Sequence, residues 1–401
     1  MHCGHPKACG TKGKINNGEV WEKGEKRSMS EIFEETRIGN MVLKNRIVRS
    51  ATWENRASAE GFVTDDLIDF TGEIARGDVG LIVIGISYVT EEGKITFGQT
   101  GIHRDECIPG LRRLTDEVHR QGGRVAAQLA HGGGKSRLFQ PGKRLPAPSD
   151  MEAEFFGTAP SRAMTFDEIE SVKEAFRRAA LRAKEAGFDA VQLHTAHGYL
   201  LSQFLSPLCN RREDEYGGNL ARRTRFVTEL IGEIKEAVGR DFPVLMKVNG
   251  DDFIDGGLKA TEAAEMTTLF EQAGLDAVEI SGGLFGSDRI PKGLIRRSAR
   301  KPEEGVFFLP QVQEFRKRVS IPIILVGGIR AVEMIEGLLS KEKIDYVAMS
   351  RPFIREPQLV RRWKSGDRSP STCQTCGRCL LMAFRGHKVQ CYRFKKPDSP
   401  S

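Results

Sequence analysis

The stretch HTAHGYLLSQFLSP, from His194 to Pro207, places two imidazoles three residues apart and a phenol two residues further on. His194, His197 and Tyr199 can each donate a hydrogen bond or a proton. They could form a metal site, a proton relay or the polar edge of a core. A metal site needs a further ligand close by, and no acidic residue follows before Glu213. The spacing therefore favours hydrogen-bond and proton chemistry over metal binding.

A second set of reactive side chains lies near the C-terminus, in CQTCGRCLLMAFRGHKVQC. Two residues separate Cys373 from Cys376 and Cys376 from Cys379, and Cys391 follows after eleven more. A [4Fe–4S] cluster takes three thiolates from one loop and a fourth from a returning segment, which matches this spacing. All-cysteine zinc sites also use C-x2-C pairs, so structural zinc is the alternative. We expect an iron–sulfur cluster here.

The bulk composition excludes several classes of protein. The chain has 401 residues and a net charge of +7, but both signs are interspersed, as in RRTRFVTELIGEIKEAV. That mixing is typical of solvated helices and argues against nucleic-acid binding. No apolar run approaches the roughly 18–20 residues of a membrane span, and the N-terminus lacks the apolar core of a signal peptide. The eight cysteines then indicate a reducing compartment, the cytoplasm.

Short apolar runs recur along the chain, and most are followed by a helical pattern. They are too short for helices and mostly too apolar for half-exposed strands, as in a parallel sheet covered on both faces. One helix, TFDEIESVKEAFRRAALRAKEAGF, opens with a capping box of Thr165 and Glu168 and closes at Gly187. The eight predicted strands are 47–52, 80–85, 125–131, 190–194, 244–249, 277–283, 322–328 and 346–352.

Eight strand–helix units predict an α/β fold, a (β/α)8 TIM barrel, over residues 31–365. A doubly wound open sheet is the alternative, although no G-x-G-x-x-G follows the first strand. Residues 366–401 form the Cys-rich segment. Residues 1–30 lack hydrophobic periodicity and are expected to be a disordered extension. The Gly- and Pro-rich stretch 132–164 is expected to be an active-site loop.

In such a barrel the functional side chains lie at the C-terminal ends of the strands. Small residues after the last two strands, in GGI and SRP, leave backbone N–H groups available to a phosphate, and Arg351 supplies the counter-charge. Gln128 and Lys247 suit a flat, imide-bearing heterocycle that becomes anionic, such as a reduced flavin. The residues expected to bind this cofactor are Ser50, Ala51, Thr52, Gly85, Gln128, Lys247, Gly327, Gly328, Ser350 and Arg351.

The stretch HTAHGYLLSQFLSPLCNRREDEYGGNLARRTRF resembles the signature of the Old Yellow Enzyme family, FMN-dependent reductases of activated alkenes. IGNMVLKNRIVRSAT, AAQLAHGG, VLMKVNGDDF and VGGI follow in that family's order, and the resemblance covers about residues 30–395. It implies FMN over the barrel mouth and reduction of the flavin by NAD(P)H or another donor. Hydride would then pass from flavin N5 to the β-carbon of an α,β-unsaturated carbonyl or enoyl-CoA-like alkene.

The same resemblance implies roles for individual residues. His194 and His197 would hold the substrate carbonyl oxygen and stabilise the enolate that forms as hydride arrives. Tyr199 would give a proton to the α-carbon. Thr52 would lie beside flavin N5 and O4 and tune the flavin's potential.

Gln128 and Lys247 would hold the pyrimidine edge of the flavin, where a cation stabilises the reduced anion. Two departures from the family pattern affect other contacts. The chain reads HGGGK after the third strand, with Gly134 where arginine is frequent and Lys135 next. Ser350 precedes the arginine after the eighth strand, where glycine is usual. These departures put local phosphate or substrate contacts in doubt.

The Cys-rich segment resembles that of an iron–sulfur subgroup containing trimethylamine dehydrogenase and 2,4-dienoyl-CoA reductase. Those relatives carry further flavin and nucleotide domains, so we expect a ferredoxin-like or flavoprotein redox partner to dock near the tail. We expect a small-molecule substrate and no nucleic-acid or membrane partner, and a homo-oligomer stays open.

Two alternative functions remain. An amine dehydrogenase or demethylase would need an aromatic bowl for its cationic substrate, and the active-site loop offers only Phe139, Phe155 and Phe156. A non-catalytic electron-transfer subunit is the other alternative. The presence of Tyr199 and His194 argues against it, because such a subunit has no need of the catalytic side chains.

Overall fold

The architecture is a closed barrel of eight parallel strands in sequential order, so the predicted (β/α)8 TIM barrel is confirmed. The structure is a computed structural model that describes residues 30–136, 138, 142–152, 159–284 and 305–393. The predicted extension, apart from Ser30, lies outside the described residues, as do Phe139, Phe155 and Phe156. The barrel strands are β1 (Ile47–Arg49), β2 (Leu81–Tyr88), β3 (Val125–Ala130), β4 (Ala190–Thr195), β5 (Val244–Asn249), β6 (Ala277–Ser281), β7 (Ile323–Val326) and β8 (Tyr346–Met349).

All eight predicted strands are present, and their residues are almost entirely buried because helices cover the outside and side chains fill the inside. Toward the amino ends of the strands, the interior is packed with small and branched apolar residues such as Leu81, Ala126 and Leu245. An antiparallel ribbon, Thr36–Ile38 with Met41–Leu43, packs against this cluster. This apolar packing leaves the carboxyl ends of the strands for polar side chains.

Helices follow the strands and pack around the barrel. The predicted capping box is confirmed: Thr165 accepts from the N–H of Glu168, whose carboxylate accepts from the N–H of Thr165. The side chain of Asn219 caps the helix Leu220–Val238 by accepting a hydrogen bond from the N–H of Arg222. The helices are Ser30–Phe33, Asp65–Arg76, Ile108–Arg120, Phe166–Glu185, Leu200–Leu205, Leu220–Val238, Ala260–Gln272, Leu309–Arg316, Val332–Lys341, Arg351–Arg355, Leu359–Lys364 and Arg378–Ala383, with 3-10 turns at Asp105–Cys107 and Gly133–Lys135.

The C-terminal segment packs back onto the loop that follows β1. The N–H of Val389 donates to the carbonyl of Glu54, and the side chain of Asn55 donates to the carbonyl of His387. The rings of Trp53 and Phe384 lie 5.5 Å apart. These contacts hold the cysteine segment beside the carboxyl end of β1. The domain boundary expected at residues 365/366 stays a prediction.

Within the described ranges, no helix is long and apolar enough to cross a membrane.

Candidate active site

A cavity of about 690 Å³ lies at the carboxyl ends of the barrel strands, within the size range of small-molecule and cofactor sites. It brings together residues from β1, β3, β4, β5, β7 and β8 that are far apart in the sequence. Of the residues expected to bind cofactor or substrate, those that line it are Ser50, Ala51, Thr52, Gln128, His194, His197, Tyr199, Lys247, Gly327, Gly328, Ser350 and Arg351.

Gly85 does not line this cavity. It lies where the pairing of β2 with β3 shifts register, between Val83 and Ile86. A Cβ at Gly85 would meet the carboxylate of Glu54 at 2.0 Å and the carbonyl of Thr52 at 2.3 Å. The glycine therefore lets the loop after β1 approach the barrel closely, and its expected role in cofactor binding stays a prediction.

The imidazole pair and the phenol form one cluster in the cavity. The ring centroids of His194 and His197 lie 5.2 Å apart, and those of His194 and Tyr199 lie 4.9 Å apart, edge to face in both cases. Nδ1 of His194 accepts from the N–H of Ala196 at 3.4 Å, which leaves the proton on Nε2. His194 can therefore offer an N–H to a carbonyl oxygen bound in the cavity.

His197 has a left-handed backbone with φ of 63°, unusual for a residue other than glycine. Three neighbours fix it there. Asn249 Oδ1 accepts from its N–H at 3.0 Å, Ser281 Oγ lies 2.8 Å from Nε2, and Lys135 Nζ donates to its carbonyl at 2.6 Å. Strained backbone held by several contacts is characteristic of functional sites, where it fixes the direction of a side chain.

Both imidazoles are neutral at pH 7. Burial lowers the pKa of His194 well below 6.5, and His197, Lys247 and Lys135 lower it further. The pKa of His197 is also lowered, by burial first and then by the charges of Lys247 and Lys135. The pair can therefore donate hydrogen bonds without carrying charge, as a site that stabilises a developing oxyanion requires.

The sequence analysis noted Lys135 only as a departure from a family pattern, and the structure places it inside the cavity. Its ammonium lies 5.4 Å above the ring of Tyr199, and its side chain is buried. The preceding glycines allow this approach: Gly133 has φ of 57°, and a Cβ there would meet the amide of Gln203. The GGGK turn thus delivers a cation to the imidazole–phenol cluster.

A buried polar network forms the floor of the cavity. Gln128 donates to Gln192 at 2.7 Å, and Gln192 donates to Glu279 at 2.9 Å. Ser50 donates to the other carboxylate oxygen of Glu279 at 2.6 Å, and Lys247 donates to Ser50 at 2.8 Å. Gln128 faces Gln192 across β3 and β4, and Lys247 faces Glu279 across β5 and β6, so strand register builds the network.

Gln192 and Glu279 were missed by the sequence analysis. They lie two or three positions before the strand ends, within apolar runs, where a polar side chain has no local signal of function. Their burial indicates a role in the site. A carboxylate and an amide in a barrel interior need hydrogen-bond partners, and those partners are the predicted site residues.

Thr52 and Ser350 are in direct contact, with their hydroxyl oxygens 2.5 Å apart. The family resemblance implies that Thr52 borders the flavin's reactive edge, whereas the place of Ser350 after the eighth strand predicts a contact with the phosphate. Both line the cavity, and both assignments stay predictions.

Two arginines, Arg330 and Arg351, lie at the side of the cavity formed by the ends of β7 and β8. Arg330, which the sequence analysis missed, has a buried Nε with no hydrogen-bond partner among the described residues. Its Nη1 donates to the carbonyl of Cys373, and Arg351 donates to the carbonyl of Thr375. A buried, unpartnered guanidinium nitrogen fits an anionic group such as a phosphate.

The cavity is positively charged. Its lining among the described residues includes Lys135, Lys247, Arg330 and Arg351 and no aspartate or glutamate. FMN fits these features: the arginines match its phosphate, and Gln128 and Lys247 match the hydrogen-bonding edge of its ring.

The four cysteines of the tail gather around a second, narrow cavity of about 30 Å³. Cys376 and Cys379 line both this cavity and the main one. Burial raises the pKa of the Cys373 thiol, and it raises that of Cys379 to about 11. In the described part of the chain no group of three or more His, Cys, Asp or Glu side chains is arranged to hold a metal ion.

A parallel barrel with a cationic cavity and an imidazole–phenol cluster at its carboxyl end defines a class of flavin-dependent TIM-barrel oxidoreductases. A family model described as NADH:flavin oxidoreductase / NADH oxidase matches residues 31–369, and the chain belongs to this family. The Old Yellow Enzyme resemblance is thereby confirmed, and the protein is an FMN-dependent oxidoreductase. The family implies FMN as cofactor and NAD(P)H as electron donor.

Three relatives illustrate the range of this similarity. An NADH oxidase of Thermoanaerobacter brockii is 36% identical over 371 residues, which is 92% of this chain and 56% of that protein. The structure of 2-naphthoyl-CoA reductase with 2-naphthoyl-CoA matches with a TM-score of 0.83 at 28% identity, over 91% of this chain and 57% of that one. An old yellow enzyme homologue from Zymomonas mobilis matches with a TM-score of 0.70 at 25% identity, over 86% and 96%. The chain thus spans little more than half the length of the first two relatives.

Proposed function

We propose that the protein reduces an activated alkene, an α,β-unsaturated carbonyl or enoyl-CoA-like compound. Bound FMN, reduced by NAD(P)H, supplies the hydride. The observation that carries the proposal is the cluster of two neutral imidazoles and a phenol in one cationic cavity.

Each side chain of the cluster has a defined task in this reaction. His194 and His197 donate hydrogen bonds to the substrate carbonyl oxygen and stabilise the negative charge that develops there. Tyr199 holds the proton that the α-carbon receives. Lys135, beside both Tyr199 and His197, adds positive charge where the enolate forms.

Other lining residues would hold FMN. Gln128 and Lys247 would bind the pyrimidine edge, and Ala51 and Thr52 would border the ring. Gly327, Gly328 and Ser350 would meet the phosphate end together with the two arginines.

The charge of the cavity argues against the alternative of an amine dehydrogenase. A protonated amine would enter a site lined by Lys135, Arg330 and Arg351, besides Lys247, whose charge Glu279 balances from beneath the cavity. The aromatic rings of Trp53, Phe307, Phe308 and Phe384 do line the cavity, but a cation–π contact is worth only about 0.5–2 kcal/mol. An anionic or neutral acyl compound suits this field better.

An anaerobic absorbance experiment tests the proposal. Purified protein saturated with FMN is reduced with NADH or NADPH before cyclohexenone or cinnamoyl-CoA is added. In a separate sample, trimethylamine alone is added to the oxidised protein. We expect the two alkenes to reoxidise the flavin and trimethylamine to leave oxidised flavin unreduced. Reduction by trimethylamine would establish the amine dehydrogenase instead, and inertness toward all three would favour an electron-transfer subunit.

We further propose that Cys373, Cys376, Cys379 and Cys391 bind a [4Fe–4S] cluster in a cytoplasmic protein. Four thiolates on a single zinc ion must converge to about 2.3 Å from one point. In a cluster each thiolate binds a different iron, so the sulfurs surround a larger volume. The spacing of three close cysteines and a distant fourth, all of which line one cavity, supports the cluster.

Iron and acid-labile sulfide analysis of anaerobically purified protein tests this second proposal, together with electron paramagnetic resonance after reduction. We expect about four irons per chain and loss of the signal in Cys379→Ala. Cys209→Ala is the matched control, because Cys209 is buried away from the tail. Stoichiometric zinc without iron would overturn the cluster.

A further inference from the structure

The surface around the cysteine segment is unlike the rest of the chain in charge. Residues 368–393 contain five lysines and arginines and no aspartate or glutamate, whereas the whole chain has 61 basic and 54 acidic residues. Lys388 and Arg368 are neutralised from neighbouring elements. Lys388 lies 3.3 Å from Asp66, and Arg368 pairs with two glutamates of the helix Val332–Lys341.

Arg378 and Arg385 are exposed and form no ion pair within the described residues. With Leu381 they are spaced three and four residues apart, so they lie on one side of the helix Arg378–Ala383 and the turn that continues it. Leu381 is 46% exposed, one of few large apolar side chains so open to solvent, whereas Ala383 on the opposite side is fully buried. We call Arg378, Leu381 and Arg385 the tail surface.

The tail surface adjoins both cavities. Leu381 borders the main cavity, and Arg378 borders the narrow cavity formed by the cysteines. Cys376, which lines both cavities, is itself exposed. A protein docked on this surface would therefore lie against the thiols, where electron transfer over a short distance is feasible.

We propose that the tail surface is the docking site of a small acidic electron-carrier protein of the ferredoxin kind. The proposal rests on the iron–sulfur cluster proposed above. In each encounter the carrier would give up one electron to the cluster, which would pass it to bound FMN. Two encounters would supply the electron pair that one hydride carries, in place of NAD(P)H. An apolar residue between two unpaired arginines suits a protein interface with an anionic rim, in which charge guides the encounter.

Binding of a plant-type [2Fe–2S] ferredoxin to the FMN- and iron-loaded protein, measured by calorimetry at low ionic strength, tests the proposal. We expect the double variant Arg378→Glu, Arg385→Glu to weaken binding at least tenfold. Raising the ionic strength from about 0.01 M to about 0.1 M should also weaken it, because the Debye length falls from about 30 Å to about 10 Å. Both arginines are exposed, so the variant is expected to fold.

Arg240→Glu is the matched control, because Arg240 is exposed just before β5, at the opposite end of the barrel. Equal binding by the double variant and this control would overturn the proposal. Tight binding of a short DNA duplex, lost in the same double variant, would assign the surface to nucleic acid instead.

Iron analysis of the same samples separates the two proposals. Ferredoxin binding by iron-free protein would overturn the cluster and leave the docking surface. Full iron content without ferredoxin binding would overturn the docking surface and leave the cluster.

Discussion

The ammonium of Lys247 lies 3.1 Å from a carboxylate oxygen of Glu279, and both side chains are buried in the barrel. Removing the charge from one partner of a buried pair leaves the other uncompensated. We therefore expect Glu279→Gln to lower the free energy of unfolding of the apoprotein by about 3 kcal/mol, measured by urea denaturation. Glu314→Gln, which removes a more exposed ion pair with Lys317, should cost less than about 1 kcal/mol.

The same Glu279→Gln substitution should raise the midpoint potential of bound FMN. With the carboxylate gone, the charge of Lys247 is no longer balanced, and a cation beside the flavin favours its reduced, anionic form. Equilibration with a reference dye measures the potential. A lower or unchanged potential would show that the charge of Lys247 does not reach the flavin.

Tyr199→Phe should slow alkene reduction by roughly 100-fold or more, because it removes the proton donor but leaves the ring. Flavin reduction by NAD(P)H should stay unchanged, since that step needs no proton at the α-carbon. Stopped-flow absorbance resolves the two half-reactions. Tyr216→Phe is the control, because its hydroxyl contacts glutamates on outer helices. Unchanged alkene reduction in Tyr199→Phe would assign the proton to another group.

Lys135→Met should lower kcat/KM for the alkene about tenfold, since a hydrogen bond from a charged group is worth about 1.5–3 kcal/mol. It should also raise the pKa values of His194 and His197, because the charge of Lys135 holds both down. The acid limb of the pH–rate profile would then move to higher pH.

Lys94→Met is the matched control for this lysine. The ammonium of Lys94 also donates to a backbone carbonyl and lies 5.2 Å above a tyrosine ring, but it is outside the cavity. If Lys94→Met lowers kcat/KM for the alkene as much as Lys135→Met does, the effect of Lys135 is structural and not local to the site.

His131 should make the fold sensitive to acid. Burial lowers its pKa to about 4, whereas the unfolded chain has the ordinary value of 6.5. Between these values the unfolded chain binds a proton that the folded chain does not, so stability present above pH 6.5 is lost as the pH falls toward 4. The loss amounts to about 3 kcal/mol.

His131→Asn should flatten this pH dependence. The asparagine oxygen can replace Nδ1 as acceptor of the N–H of Gly133, and the residue does not titrate. Urea denaturation at about pH 7 and about pH 4.5, with equal FMN concentrations, gives the free energy of unfolding at each pH. The loss between the two pH values is then compared for His131→Asn and the original chain. Parallel pH curves for both proteins would mean that His131 is protonated in the folded state.

The barrel and the imidazole–phenol cluster of the cavity could be predicted from the amino-acid sequence alone. Apolar runs of strand length, capping residues such as Thr165 and the motif around His194 are local features, readable from composition and spacing within a few residues. Because carboxyl ends of parallel strands meet at one end of a barrel, the residues after each run could be assigned to one site before any contact was known.

The pairing of the polar groups could not be predicted from the sequence. Glu279, Gln192 and Arg330 acquire a role from neighbours brought together by barrel closure, and Lys135 from a loop that folds over the mouth. The loop after β1 likewise approaches Gly85 closely, a contact between residues that are far apart in the sequence. Burial and charge pairing depend on contacts between residues far apart in the chain, and such contacts leave no periodic trace in the sequence.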